Sequence, residues 1–306
     1  MIKPMTQPIS DAVPVLPSDA PEPIVDEPCE TGEGPLWNED ERALYWVDIP
    51  TGRLFRYLPA TGTNELAYQH DSMIGGYTFQ ADGAILLFGM RGQILRWNAG
   101  SIETIVSDIA GERDGRFNDV IADPEGRVFC GTMPTDAHLA RLYRLDLDGT
   151  LTTVFDDIGL SNGLGFSPDN HIMYHTDSNN RRISRFDYDA ASGELTNRTT
   201  LIETPDDGSV PDGMAIDSEG TIWSAQWDGH ALYRYGADGG LLGKVAFPVR
   251  KVSSVTFGGD DYATAYVTTA GGGERGEVEG ATAGSLYRVN LDVRGRPPFR
   301  SRIGLA

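Results

Sequence analysis

Glu33, Gly75, Asn118, Asn162, Asp212 and Ser253 occupy one equivalent place in an internal repeat, and five of the six are polar. If the repeats are arranged about an axis, equivalent side chains point at it. Glu33, Asn162 and Asp212 should then converge, with Asn118 nearby. Two carboxylates and one or two amide oxygens meeting at a point are hard oxygen ligands. Two like charges forced together raise a carboxyl pKa strongly unless a cation neutralises them. One divalent ion answers that need, with Ca²⁺, Mg²⁺ and Mn²⁺ the natural candidates and Zn²⁺ or Fe²⁺ kept open. No His or Cys sits in the slot, which counts against a conventional zinc centre. Singly, each of these residues reads as well as a turn cap; their recurrence at one repeat position favours a site.

The repeat that must position them is built of strands. Short runs rich in β-formers occur at 43–49, 85–89, 127–131, 172–176, 221–226 and 263–268, each bounded by Gly, Asp, Asn or Pro. An apolar strand and a polar turn precede each run, as in NDVIADPEGRVFCGTM and DGMAIDSEGTIWSAQW. Anchored on Pro35, Tyr77, Val120, Leu164, Met214 and Val255, the copies are spaced by 42, 43, 44, 50 and 41 residues. Most continue into a third strand of common flavour, such as RLFRYLP, RLYRLDLDG and SLYRVNLDV. A period of about 40–50 residues holding several strands predicts an all-β, six-bladed β-propeller. A sandwich gives no reason for this repetition, and an α-solenoid needs a helical periodicity that is missing. Residues 24–31 are expected to lend the last blade its outer strand and so tie the ring shut. The domain organisation read from the chain is an extended or disordered Pro-rich arm at 1–23 and a single propeller domain at 24–306.

Composition narrows the partners. The chain of 306 residues carries 45 Asp+Glu against 25 Lys+Arg, a formal net charge of −20. That balance argues against nucleic acid or an anionic membrane as partner, since both are repelled. No run approaches the roughly 18 apolar residues of a membrane span. Only three of the basic residues are lysines, which hints at a salt-adapted or high-GC source. Cys29 and Cys130 are the only cysteines and read as two isolated reduced thiols. Nothing in the sequence demands more than a monomer. The amino terminus lacks a basic start followed by an apolar run, so the cytoplasm is the expected compartment.

The strings GEGPLW, RFNDVIADPEGRVFCGTM, SNGLGFSPD and PDGMAIDSEGTIW resemble, in the same order, those of the senescence marker protein/gluconolactonase/regucalcin family of metal-dependent six-bladed propellers. The likeness covers about residues 30–295. It implies that Glu33, Asn162 and Asp212 hold the metal and that Arg116 and Asn118 contact substrate. Asp136 corresponds to a further substrate-contacting acid, although family members often have Glu there. The segment PTDAHLAR is shorter than in some relatives, which leaves the rim of the pocket and its substrate choice open.

The resulting expectation is a metal-dependent hydrolase that opens an aldonolactone, such as glucono-, xylono- or arabinonolactone, to its acid. The metal acts as a Lewis acid on the lactone carbonyl and acidifies a water. Asp212 is the expected general base and a ligand at once. Arg116, Asn118 and Asp136 hold ring oxygens and hydroxyls, while Asp119 reads as a turn or supporting residue. Two alternatives stay open: a phosphotriester or aryl-ester hydrolase on the same propeller, and a non-catalytic calcium-binding propeller. Tyr45, Trp46, Tyr143, Trp223 and Trp227 form a set that could stack on sugar, but they read better as core between blades. His138, His171, His175 and His230 read as structural. No phosphate-binding Gly loop opening a helix is present, and no nucleophile elbow.

Overall fold

Each repeat opens on an apolar strand, reverses at a turn fixed by an acidic or Gly-rich cluster, and returns. Blade 3 shows the local cause. The Asp123 carboxylate accepts hydrogen bonds from the backbone N–H of Glu125 and of Arg127, both at 2.9 Å. The chain therefore folds back between strands Phe117–Ala122 and Val128–Thr132. The strings DPEGR and SPDNH are β-turns of this kind, as their composition predicts.

In the computed structural model, which describes residues 13–204 and 206–305, six four-stranded antiparallel sheets form a six-bladed β-propeller. The inner strands are Gly32–Asn38, Ile74–Phe79, Phe117–Ala122, Ser161–Phe166, Val210–Ile216 and Val252–Gly258. The second strands fall within a residue or so of the expected runs, for example Ala43–Asp48 and Ile222–Trp227. The only helical piece among the described residues is a 3-10 turn, Gly272–Glu274. No described helix is long and apolar enough to cross a membrane.

The core is divided among the seams between blades. Six buried apolar clusters each draw on two neighbouring sheets; Tyr45 and Val47 of blade 1 meet Tyr77, Phe79 and Leu87 of blade 2. Tyr45, Trp46, Tyr143 and Trp223 are buried in these seams, as expected of core aromatics. Cys29 and Cys130 are free and buried. Burial pushes the Cys29 thiol up to about 12.

The ring closes on a strand from the amino-terminal side. Glu22–Val25 pairs antiparallel with Leu286–Asn290 as the outer strand of blade 6, so the closing strand begins two residues before the 24–31 expected. Glu22 also pairs with Arg288 at 2.8 Å. Upstream, residues 14–16 run beside the outer strand of blade 5, where the Leu16 N–H donates to the Lys244 carbonyl at 2.9 Å. The first twelve residues of the Pro-rich arm lie outside the described residues.

A second tie was not foreseen from the repeat. Residues 294–304 cross the lower face and bond to the turn between first and second strands in all six blades. Arg294 pairs with Asp261 and the Gly295 N–H reaches the Tyr262 carbonyl in blade 6. The Ser218 N–H of blade 5 reaches the Arg294 carbonyl. Arg296 reaches Ser167 and Asn170 in blade 4, and Arg300 pairs with Asp40 in blade 1. Ser301 pairs with Phe79 and Ala81 of blade 2, and the Arg302 N–H donates to Gly126 of blade 3. Ile303 is buried in the seam between blades 2 and 3 beside Leu86, Phe88 and Phe117. Removing such a side chain costs about 3 kcal/mol in transfer and cavity terms. Ile303→Ala is expected to lower unfolding free energy by that amount in a denaturant titration, and deletion of 294–306 by more. A deletion protein that unfolds where the full chain does would leave this strap without a stabilising role.

Candidate functional site

One irregularity recurs in every blade at the same place. The ladder between the first and second strands shifts register between Glu33 and Leu36, Ile74 and Gly76, Phe117 and Val120, Ser161 and Leu164, Pro211 and Met214, and Val252 and Ser254. Each shift begins at or one residue before the repeat slot. A bulge turns a side chain out of the alternation that the pleat would impose, and so re-aims it. Here that side chain is the slot residue of each blade.

Four of the six slots then supply a side chain to one cavity. Glu33, Asn118, Asn162 and Asp212 line a chamber of about 360 Å³ at the upper mouth of the channel, together with Arg116. All four are buried, between 4% and 7% exposed. The two remaining slots are explained by packing. A Cβ on Gly75 would stand 1.9 Å from the Phe117 carbonyl oxygen, so the close approach of blades 2 and 3 requires glycine there. Ser253 donates to the Gly32 carbonyl at 2.6 Å and accepts from Thr268 Oγ1 at 3.0 Å, which spends its hydroxyl between blades 6 and 1.

A run of hydrogen bonds links the polar groups. Arg116 Nη1 donates to Asn118 Oδ1 at 2.6 Å and to the Phe117 carbonyl at 2.8 Å. Asn118 Nδ2 donates to Asn162 Oδ1 at 2.6 Å and to the Ser161 carbonyl at 2.9 Å. Asn162 Nδ2 donates to Ser178 Oγ at 2.9 Å, and Ser178 Oγ donates to the Pro211 carbonyl at 2.6 Å. Glu33 Oε2 accepts from the Gly34 N–H at 2.9 Å. The backbone of Arg116 is pinned by the Met133 N–H at 3.1 Å.

Burial, and next the Asp212 charge, push the Glu33 carboxyl well above the usual carboxylate range. Burial and the neighbouring Asp119 do the same to Asp212. Asp119 lies on the wall of a second cavity of about 160 Å³ farther down the channel, bounded below by residues 296–299 of the strap. Burial raises it to about 7 against the opposing pull of Arg116. Burial in turn lowers the Arg116 guanidinium pKa, a shift that the charges of Glu33, Asp119 and Asp212 resist.

The donor set fits a hard divalent cation. Two buried carboxylates that disfavour each other's charge sit in one chamber with an amide oxygen, and one guanidinium is their positive neighbour. Asn162 Oδ1 accepts a single hydrogen bond and keeps a lone pair for a cation. Among the described residues no three His, Cys, Asp or Glu side chains gather as a cluster of metal ligands, so any cation here relies on amide as well as carboxylate oxygen.

Asp136 is placed differently from the other expected residues. It is exposed and does not line the chamber, in a loop closed by the bond from the Thr135 N–H to the His138 carbonyl at 2.9 Å. Trp227 corrects the reading of the aromatics as core, because it is half-buried and lines the chamber. Lys251 Nζ lies 5.6 Å from the centre of its ring, and Glu279 holds that ammonium at 3.2 Å. His175 is structural as expected: it is buried, bonds to Ser161 Oγ at 2.8 Å, and burial lowers its pKa to about 4. Sequence reasoning missed Ile49, Met133, Ser178 and Asn179, which complete the wall with Thr31, Leu160 and Val210. Ile49, Met133 and Ser178 each directly follow the second strand of their blade, so a comparison across repeats at that second position would have found them.

Fold and site together define a six-bladed propeller with a buried oxygen-donor centre at the end of its channel. Residues 31–271 match the family described as the SMP-30/Gluconolactonase/LRE-like region, and the chain belongs to that family. It is 46% identical over 288 residues to a pentonolactonase of Haloferax volcanii, across 92% of this chain and 98% of that one. It is 33% identical to regucalcin of Sus scrofa, across 90% and 96% of the two chains. The solved structure of a luciferin-regenerating enzyme superposes with a TM-score of 0.82 at 29% identity, covering 90% of this chain and 96% of that one.

Proposed function

We propose that this chain hydrolyses a sugar lactone to the open acid with the help of one divalent cation. The observation that carries the reading is the meeting of Glu33, Asn162 and Asp212 in one chamber with Arg116 and Asn118. The volume of about 360 Å³ lies at the small end of ligand sites, in keeping with a single sugar ring. The 46% identity to a pentonolactonase over nearly the whole of both chains supports a pentonolactone as the substrate class.

A divalent cation held by Glu33, Asn162 and Asp212 supplies Lewis-acid polarisation of the lactone carbonyl. The chain does the rest. Ile49, Met133, Leu160, Val210 and Trp227 give the ring an apolar wall. Arg116 Nε and Nη2 have no hydrogen-bond partner among the described residues and face substrate as donors. Asp212 takes a proton from the attacking water as its oxygen bonds to the acyl carbon. The ring C–O bond then breaks, and the proton is returned to the departing ring oxygen.

The test is a panel of pentono- and hexonolactones, an aryl ester and an aryl phosphotriester, followed by proton release with and without chelator. Lactone hydrolysis that stops on chelation and returns with a divalent salt is expected. Rates no faster than buffer for every lactone after reconstitution would overturn the reading. Arg116→Ala is expected to raise KM about 10- to 100-fold with a smaller change in kcat, since a charge-assisted bond is worth about 1.5–3 kcal/mol. An unchanged KM would remove Arg116 from the substrate contacts.

A further inference from the structure

Asn162 can serve as a ligand only if its oxygen, and not its nitrogen, faces the cation. The two ends of the side-chain amide are nearly the same shape, so something must choose between them. The run from Arg116 to Pro211 makes that choice. Its first member, a guanidinium, only donates; its last, a backbone carbonyl, only accepts. Every bond between them must then point the same way. Asn118 offers Oδ1 to Arg116 and Nδ2 onward, while Asn162 offers Oδ1 toward Asn118 and Nδ2 to Ser178. Ser178, 1% exposed, passes the direction to Pro211, whose carbonyl directly precedes Asp212 in the chain.

We propose that Ser178 is a positioning residue for the cation: its hydroxyl fixes the Asn162 amide with the oxygen toward the chamber and ties blade 4 to the strand that bears Asp212. Without it, Asn162 Nδ2 loses its acceptor and the Pro211 carbonyl its donor. The bond from Asn118 Nδ2 to Oδ1 is then all that orients the amide, so turning its nitrogen toward the carboxylates, which attract an N–H and thereby compete with a cation, gives up one hydrogen bond instead of two. The inference rests on the cation reading above, and the experiment separates the two.

The experiment is calorimetric titration of Ca²⁺, Mg²⁺ and Mn²⁺ into chelator-stripped protein: wild type, Ser178→Ala, Asn162→Asp and the double variant. Loss of a partner that orients a ligand typically weakens metal binding about 10- to 100-fold. That loss is expected for Ser178→Ala in the native background, with the chelated proteins melting within a few degrees of one another. A carboxylate accepts through both oxygens and has no wrong orientation. In the Asn162→Asp background the same substitution is therefore expected to cost less than about threefold, an energetic coupling of the kind a double-mutant cycle reads. Wild-type affinity in Ser178→Ala overturns the role of Ser178 alone. A loss of equal size in both backgrounds overturns it too, because that marks a merely structural role. Wild-type protein that takes up none of these cations overturns the cation reading itself, and this inference with it.

Discussion

Asp212→Asn protein is expected to keep the propeller and to lose about a thousandfold in kcat/KM on its lactone. A positioned general base contributes about 10²- to 10⁴-fold, and an amide cannot take the proton. The variant is nearly isosteric, so the fold gives no reason for the loss. Burial and the Asp119 charge hold the Asp212 carboxyl well above its ordinary range, which means that the folded chain disfavours the charge it carries. Removing that charge also relieves Glu33, whose pKa Asp212 raises. Chelated Asp212→Asn should therefore melt at or above the temperature of chelated wild type, while its activity falls. Activity within tenfold of wild type on the preferred lactone would rule Asp212 out as the base.

Relief on removing a charge is the signature of a site arranged for function at the expense of stability. The same trade is visible in how much of the site the sequence discloses. Glu33, Asn162 and Asp212 stand out because they break the apolar pattern of an inner strand at one repeat position, and a local rule is broken in step only for a shared reason. Gly75 and Ser253 hold that position too, yet blade-to-blade packing claims both. The register shifts that aim the slot residues belong to strand pairing, which no single repeat displays.

Where repetition ends, legibility ends with it. The strap at 294–304 has no counterpart within the blades, so its bonds to six different turns are invisible to a comparison of repeats. Ser178 stands beside Asp177 in a string that reads as a strand end; its value comes from lying between Asn162 and Pro211, which are 49 residues apart in the chain. Asp136 lies apart from the repeat slots altogether. Its expected place rests on resemblance and not on the repeat, and the structure leaves it exposed in the loop that the bond between Thr135 and His138 closes. Trp227 departs from the core pattern of the other aromatics because it is the last residue of its strand, where an aromatic side chain can leave the seam for the channel mouth.

Removal of divalent cation is the other large effect. Chelation is expected to abolish lactone hydrolysis and to lower the melting temperature by about 5 °C relative to protein holding cation at a hundredfold its dissociation constant. The figure follows from about 2.7 kcal/mol of linkage at that saturation and about 2 °C per kcal/mol for a chain of this size. The chelated protein should also respond to pH in a defined direction. Carboxyls whose folded pKa is raised keep protons that the unfolded chain has released. Their stabilising contribution is present below the ordinary carboxylate range, about pH 4, and is lost as pH rises through the folded pKa. For Asp119 that window closes at about 7, and for Glu33 and Asp212 it extends upward from the same start. A cation neutralises the charges as they form, so saturating it should flatten this slope as well as raise the curve. Glu33→Gln removes one of the charges, so it should shrink both the cation-dependent shift in melting temperature and the pH slope of the chelated protein. Melting curves that neither move with cation nor fall with pH in the chelated state would show that Glu33 and Asp212 are reconciled by Arg116 and the surrounding hydrogen bonds alone, and the site would need no metal.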